Sequence, residues 1–351
     1  MTNGRSRSSG RPTLDQVAAR AGVARATASR VLNGSAQVSE ASRVLVEQAV
    51  ADLKYVPNIA ARSLVTRHTD SIALVIFEPE RRIFGEPSFA QIVRGLSAVL
   101  SGTDLHLWIA FVQSDAERSR LEYYLTGDHV DGVLLLSLHH SDPLPGILTD
   151  RGLPTVVGGR AMTPDASAAA RNLPDRSSYV DVDDAGGART AVRHLLAGGH
   201  RRIATIAGPQ NLGTGVARLT GDREALAQAR IAFDGSLVAV GDMTDDSGAA
   251  AARYLLETRP DLDAIFAGSD AMAAGAIRAL RAAGRRVPHD VAVVGFEDTA
   301  MAPHTDPPLT TVHVPFEDMG RQMAGLLVDM LAGEEPLNLV LDTHLVRRVS
   351  A

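Results

Sequence analysis

Apolar positions along this chain change their period near residue 70, and the change divides it into two parts. Before that point they recur at helical spacing. In TLDQVAARAG, Leu14, Val17, Ala18 and Ala21 fall on one helical face. Thr13 and Gln16 are spaced as a capping box, and Gly22 permits the turn that ends the helix. A second helix is predicted over about 24–32. Val23, Thr27 and Val31 are spaced to pack inward, while Arg25, Ala26, Ser29 and Arg30 face solvent. Asn33-Gly34 stops it, and Ser39 caps a longer amphipathic helix running to about Leu53. Two short helices about a glycine turn, braced by a third, describe a helix-turn-helix, which lays its second helix in the major groove of DNA. Beyond Pro57, Asn58 is placed to cap NIAARSLV. That segment is helix-compatible but only about eight residues long, too short to be stable alone in water, so it needs a partner to fold.

From Ser71 onward short apolar runs alternate with amphipathic helices. Strands are predicted at SIALVIF, HLWIAFV, VDGVLLLS, PTVVGG, YVDVDD, RIATIAG, SLVAVG, DAIFAGS and VAVVGFED. That alternation implies parallel sheets covered on both faces. Two sets of about five strands imply two similar lobes, with ligands at the carboxyl ends of the strands. The expected fold class is therefore α/β, with a small all-α helix-turn-helix headpiece ahead of a two-lobed domain.

Composition sharpens the division. At 351 residues the chain has room for two or three domains and a sizeable core. Residues 1–69 carry ten Arg or Lys against four acidic residues, a net +6, which leaves −12 for the remainder of a chain whose total is −6. A basic head on an acidic body suits a phosphate-binding module joined to one that should not adhere to DNA. Residues 1–12 read as a disordered basic tail, either inert or an arm adding phosphate contacts. No stretch approaches 18 uninterrupted apolar residues, MTNGRSRSSGR has no apolar core after its basic residues, and there is no cysteine. The expectation is a cytoplasmic protein without a membrane partner.

Chemistry-bearing patterns are sparse. Gly213-Thr214-Gly215 is half a dinucleotide fingerprint, with no third glycine at the right spacing. His139-His140 is the only His pair and reads as solvated loop. Asp181-Val182-Asp183-Asp184 ends a strand and reads as loop capping. No cofactor, metal site or enzymatic arrangement is expected.

The segments TLDQVAARAGVARATASRVLNGSAQVS and YVPNIAARSLVTR resemble the DNA-binding headpiece and hinge of the LacI/GalR family of bacterial regulators. DVDDAGGARTAVRHLLAGGHRRIATIAGP, AIFAGSDAMAAGAIRAL and VAVVGFEDTAMAPHTDPPLTTVHVPFEDMGR resemble that family's effector domain, itself similar to periplasmic sugar-binding proteins. The resemblance implies a headpiece over 13–57, a hinge helix and linker over 58–69, and an effector-binding domain over 70–351. Its N-lobe would span about 70–171 and 316–333, and its C-lobe about 172–315 and 334–351, with crossings near Arg171, Pro315 and Gly333. It implies a ligand-responsive regulator, expected to be a repressor, that binds a pseudo-palindromic double-stranded operator as a homodimer. The effector would be a small molecule, expected to be a carbohydrate. A purine effector, or corepression in place of induction, stays open.

Carried over by position, the DNA contacts would be Thr13, Arg25, Ala26, Thr27, Ser29, Arg30 and Asn33 in the headpiece. In the hinge they would be Asn58, Ala61, Arg62 and Leu64. Arg25, in the first turn of the recognition helix, has the forked donor that reads guanine O6 and N7. Leu64 would be the wedge prising open a central base step. Effector contacts would be Phe89, Ser137, Arg218, Ser269, Glu297 and Phe316. A cation, a carboxylate, a hydroxyl and an apolar ring together suit a sugar. Ser269 and Asp270 also precede AMAAGAIRAL, where both are placed to cap a helix. Three positions depart from the family pattern. Ala24 stands where a capping Ser is usual, Glu297 where Asp is common, and Gly159 where sugar-specific members can offer an acid.

Two other classes of function leave different marks. A solute-binding protein for transport would carry a signal peptide and no helix-turn-helix, and a sugar-modifying enzyme would need a perturbed acid pair in the cleft. The C-terminus stops soon after LDTHLVRRVS with no appended heptad repeat, from which a dimer is expected over a tetramer.

Overall fold

The structure, a computed structural model, describes residues 12–35, 37–56, 68–78, 87–138, 142–159 and 178–351. The tail, the hinge residues Asn58, Ala61, Arg62 and Leu64, the pair His139-His140 and the expected crossing at Arg171 lie outside the described residues. The chain divides into two compact units, residues 1–69 and 70–351.

The small unit contains α1 (Leu14–Ala21), α2 (Arg25–Leu32) and α3 (Glu40–Leu53). Thr13 and Gln16 form both bonds of the capping box, and Gly22 ends α1 at φ 66°. Ala24 gives α2 no side-chain cap, yet the helix begins where the pattern placed it. Ser39 caps α3 by accepting from the Ser42 amide. The core joins Val17, Ala18, Ala21, Ala28, Val31, Val46 and Ala49. Val23 and Thr27 are only half-buried, and Ala28 takes the inward place on α2. A lone alanine carries little hydrophobic signal, so the pattern passed over it.

The large unit runs β1 (Ser71–Ile76), α4 (Pro87–Leu100), β2 (His106–Phe111), α5 (Asp115–Leu125), β3 (Gly132–Leu136), α6 (Leu144–Asp150), β4 (Thr155–Gly158), β5 (Ser178–Val182) and α7 (Asp184–Ala197). It continues with β6 (Ile203–Ala207), α8 (Gly213–Gln228), β7 (Val238–Val240), α9 (Asp245–Thr258), β8 (Ala264–Ala267), α10 (Asp270–Ala282) and β9 (Ala292–Glu297). It ends with β10 (Thr310–His313), α11 (Phe316–Leu331), β11 (Asn338–Leu341) and β12 (His344–Val346). One sheet has the order β11-β5-β4-β3-β1-β2 and the other β12-β10-β9-β8-β6-β7. Every pairing is parallel except β10 with β12. Apolar clusters cover both faces of each sheet, which is why the central strands read as unbroken apolar runs. Helices close over them at short range. A Cβ on Gly275 of α10 would lie 1.9 Å from the Asp245 carbonyl, and one on Gly248 of α9 2.2 Å from that of Met272.

Sheet membership moves two of the expected crossings. β5 pairs with β4 and with β11, so the chain leaves the first lobe after Val182 and not near Arg171. β11 belongs to the first sheet and β12 to the second, which puts the last passage at Asp342-Thr343 and not at Gly333. The middle passage falls at Val314-Pro315, between β10 and α11. The lobes are thus 70–182 with 316–341, and 183–315 with 343–351. An apolar run announces a strand but not its partner, and β5 finds part of its partner about 160 residues later, in β11. The passages are tied together where Asp183 donates its amide to Leu341 O (2.9 Å) and Thr343 Oγ1 donates to Asp183 O (3.1 Å). Phe316 and Leu341, one at each of the two later passages, pack against the cores of both lobes.

Candidate functional site

Each sheet has its switch point where the chain reverses direction of winding, between β1 and β3 in the first and between β6 and β8 in the second. Ligands of open α/β sheets bind outside the carboxyl ends of strands at such points. Ser137 follows β3 and Ser269 follows β8 two residues on, so each stands at the switch point of its own lobe. Ser137 holds φ 57°, a left-handed turn at the strand end.

Arg218 is drawn into this edge of the second lobe. It lies in the first half of α8, 3% exposed, with its guanidinium carbon 4.0 Å from the Phe296 ring centre. Its Nε donates to Asp184 Oδ1 (2.8 Å), and its Nη1 to Gly268 O (2.5 Å) and to Glu297 Oε1 (3.2 Å). Burial works against its charge, but Asp184 and Glu297 together outweigh it and its pKa is raised. Burial pushes Asp184 up to about 6, even with Arg218 pulling the other way. One cation therefore faces two carboxylates, and the cation is already engaged. Glu297 is the more open of them, with its side chain 13% exposed. It ends β9 at φ 107°, and Asp298 follows at 54°. Non-glycine residues rarely hold such backbone, and where they do it clusters at binding sites.

The structure brings Arg218, Glu297 and, through Gly268, the start of α10 together. Ser269 is buried, and its hydroxyl accepts from the Met272 amide (3.2 Å), so it caps α10. Asp270 does not cap. It is fully buried and accepts from the Thr299 amide (2.6 Å), Thr299 Oγ1 (3.1 Å) and Thr311 Oγ1 (2.5 Å). Phe89 is buried, 8% exposed, against Ile72, Ile92 and Leu96 in the first lobe's core. Phe316 is half-buried between the two cores. Asp183 caps α7, accepting from the Gly186 amide (2.8 Å), as expected of that acidic run. Gly215 serves packing, since a Cβ there would meet Pro209 O at 2.1 Å. The sequence reading passed over Asp184 as Arg218's partner, although an acid opening one helix and an Arg in the next are what such a bond needs. It also passed over Glu78, a buried carboxylate just beyond the carboxyl end of β1.

In the small unit Arg25, Ala26, Arg30, Asn33 and Thr13 are exposed, and Thr27 and Ser29 are half-buried. Arg25 Nε lies 3.1 Å from Asp15 Oδ1, with both side chains over 70% exposed. A surface pair of this kind contributes at most about 1 kcal/mol, so Asp15 does not lock the guanidinium in place. Among the described residues no helix is long and apolar enough to cross a membrane, and no group of three or more His, Cys, Asp or Glu is placed to hold a metal ion.

Residues 13–58 match the family described as bacterial regulatory proteins, lacI family, and residues 192–351 match a periplasmic binding protein-like domain. The HTH-type transcriptional regulator CelR of Thermobifida fusca is 54% identical over 97% of this chain and 98% of its own. The HTH-type transcriptional repressor PurR of Serratia proteamaculans is 34% identical over 95% of this chain and 94% of its own. A solved complex of the regulator CelR with cellobiose is 51% identical, with TM-score 0.76 over 97% of this chain and all of that one. The lac repressor dimer bound to operator and the anti-inducer ONPF gives 26% identity and TM-score 0.80 over 97% of this chain and 99% of that one. With a helix-turn-helix unit, a two-lobed α/β unit and likeness of this extent, the chain belongs to the LacI family of bacterial regulatory proteins.

Proposed function

We propose that this chain is a cytoplasmic, homodimeric, operator-binding repressor without enzymatic activity, and that a neutral disaccharide of the cellobiose type controls its affinity for DNA. The observation that carries the reading is the Arg218 cluster. Its guanidinium is met by two carboxylates, so the site keeps a net negative charge and an acceptor, Glu297, at its more open side. Such a site suits donating hydroxyls and repels sugar phosphates or sugar acids. The CelR–cellobiose complex, half identical over nearly the whole chain, supports the same class of ligand.

Homodimerisation has its own support in the large unit. β2 is the edge of the first sheet and exposes Trp108 (60%) and Ile109 (43%). An uncovered edge strand bearing large apolar side chains is a pairing surface, and a second copy is the occupant we assign to it. In each half-site Arg25 reads a guanine, with Ala26, Thr27, Ser29, Arg30 and Asn33 around it. Paired hinge segments, Asn58, Ala61, Arg62 and Leu64 among them, enter the central minor groove. Ligand acts on the lobe passages at Phe316 and Leu341, whose packing in both cores makes them sensitive to lobe angle.

Selection of bound duplexes from a random pool, repeated with cellobiose, other sugars and purines, tests this. The reading expects enrichment of a pseudo-palindrome and its loss with cellobiose alone among the ligands. No enriched site, or a response to a purine and not to a sugar, would sink it.

A further inference from the structure

The Glu297–Asp298 corner is two consecutive non-glycine residues in left-handed backbone, and such backbone persists only where its surroundings over-determine it. A buried carboxylate, that of Asp270, braces it from the residues on either side. Thr299, the first residue past the corner, donates both its amide (2.6 Å) and its hydroxyl (3.1 Å) to Asp270 Oδ2. Asp270 Oδ1 takes the Thr311 hydroxyl from the neighbouring strand β10 (2.5 Å). All three side chains are buried. On the near side of the corner Gly295 makes room for this carboxylate, since a Cβ there would lie 2.5 Å from Asp270 Oδ1. One side chain, carried on the first turn of α10, thus bonds the residue after the corner and packs against the strand before it. The corner's two residues then diverge. Glu297 turns to Arg218 (3.2 Å), and Asp298 accepts from Arg348 Nη2 (2.6 Å) and lies 3.2 Å from His313 Nδ1.

We propose that Asp270 is the positioning residue of the effector site, holding the corner that presents the Glu297 carboxylate to ligand. The proposal rests on the reading that Glu297 contacts the effector. Asp270 itself touches no ligand, and acts through Thr299, Thr311 and the backbone between Gly295 and Thr299. Burial without a cationic partner makes its ionised form costly, as its pKa pushed up to about 6 shows.

Calorimetric titration of the full-length protein with cellobiose tests both layers. Glu297→Gln should weaken binding at least tenfold. Asp270→Ala and Gly295→Ala should each do the same, because alanine accepts nothing from Thr299 or Thr311 and a Cβ at 295 evicts the carboxylate. Asp270→Ala added to Glu297→Gln should cost less than a further twofold. Wild-type affinity in Asp270→Ala with loss in Glu297→Gln overturns the positioning role and leaves the reading intact, and additive losses overturn it equally. Wild-type affinity in Glu297→Gln, or no binding by the parent, sinks the reading instead. A crystal structure of Asp270→Ala then decides the positioning role without ligand. The Glu297 φ should leave the left-handed region and its bond to Arg218 should break, and retention of both overturns the proposal. Thr299→Val, which removes only the hydroxyl bond, should weaken cellobiose at least threefold and stands in if Asp270→Ala fails to fold. Unchanged affinity there overturns the proposal.

Discussion

Asp222 offers a measurable consequence of burying charge. It sits one helical turn beyond Arg218 on α8, 1% exposed, with Oδ2 accepting from Thr205 Oγ1 (3.0 Å). Its Oδ1 is the one buried side-chain polar atom without a partner among the described residues. It borders a cavity of about 20 Å3 lined largely by apolar groups, Ile203, Leu226, Ile231 and Leu237 among them. Burial lifts its pKa from 3.8 to about 6, against the pull of the Thr205 bond and Arg223. A raised carboxyl stabilises the fold fully below its unfolded pKa, and that stability is lost as pH rises through about 6. At pH 7.5 the loss approaches about 3 kcal/mol. Asp222→Asn keeps an acceptor for Thr205 and cannot ionise, at a cost of about 1 kcal/mol for an unmet amide donor. The variant should therefore be more stable than the parent at pH 7.5 by roughly 1–2 kcal/mol. Its advantage should shrink by about 1.5 kcal/mol at pH 5, some 3 °C or more in Tm for a unit of this size. Calorimetric melting of both proteins between pH 5 and 8 reads this directly. A difference in Tm that stays constant with pH would refute the assignment of an ionised, underbonded Asp222.

Other consequences can be checked independently. Trp108→Glu should convert dimer to monomer in sedimentation, since two lost tryptophan contacts are worth roughly 4 kcal/mol or about a thousandfold in Kd, and a persistent dimer would mean β2 is not the interface. Gly275→Ala should lower the Tm of the large unit by several degrees, because its Cβ meets backbone at 1.9 and 2.7 Å, whereas Gly325→Ala in α11, with nothing within 4 Å, should be neutral or slightly stabilising. Arg25→Ala should cost about 1–3 kcal/mol of operator affinity and relax base preference at one position per half-site, and a uniform loss across sequences would make Arg25 a phosphate contact instead.

The two parts of the chain were legible in the sequence to different depths. Caps are local, so Thr13, Gly22 and Ser39 announced the small unit's helices nearly to the residue. Nine strands were legible from their apolar runs, the interior ones because parallel strands buried on both faces must be apolar throughout. β10, β11 and β12 were not: TTVH opens on two buried threonines, and β11 and β12 lie half exposed at sheet margins. Lobe boundaries failed for a related reason: β5 depends on β11, and pairing over that distance leaves no local trace. At the site, residue types were legible and their duties were not. Arg218 and Glu297 were expected as separate contacts and prove to be bonded to each other and, through Arg218, to Asp184. Asp270 was expected as a cap and is instead a buried clamp, because only the fold brings Thr299 and Thr311 to it.

The proposed function requires that occupancy of the lobe site and occupancy of DNA be coupled. Fluorescence anisotropy of a labelled, selected operator duplex, titrated with protein at fixed cellobiose concentrations, measures that coupling. The expected result is a 5- to 150-fold rise in operator Kd at saturating cellobiose, with cellobiose affinity reduced by the same factor when operator is bound. Cellobiose that binds in calorimetry yet leaves the operator Kd unchanged would contradict it.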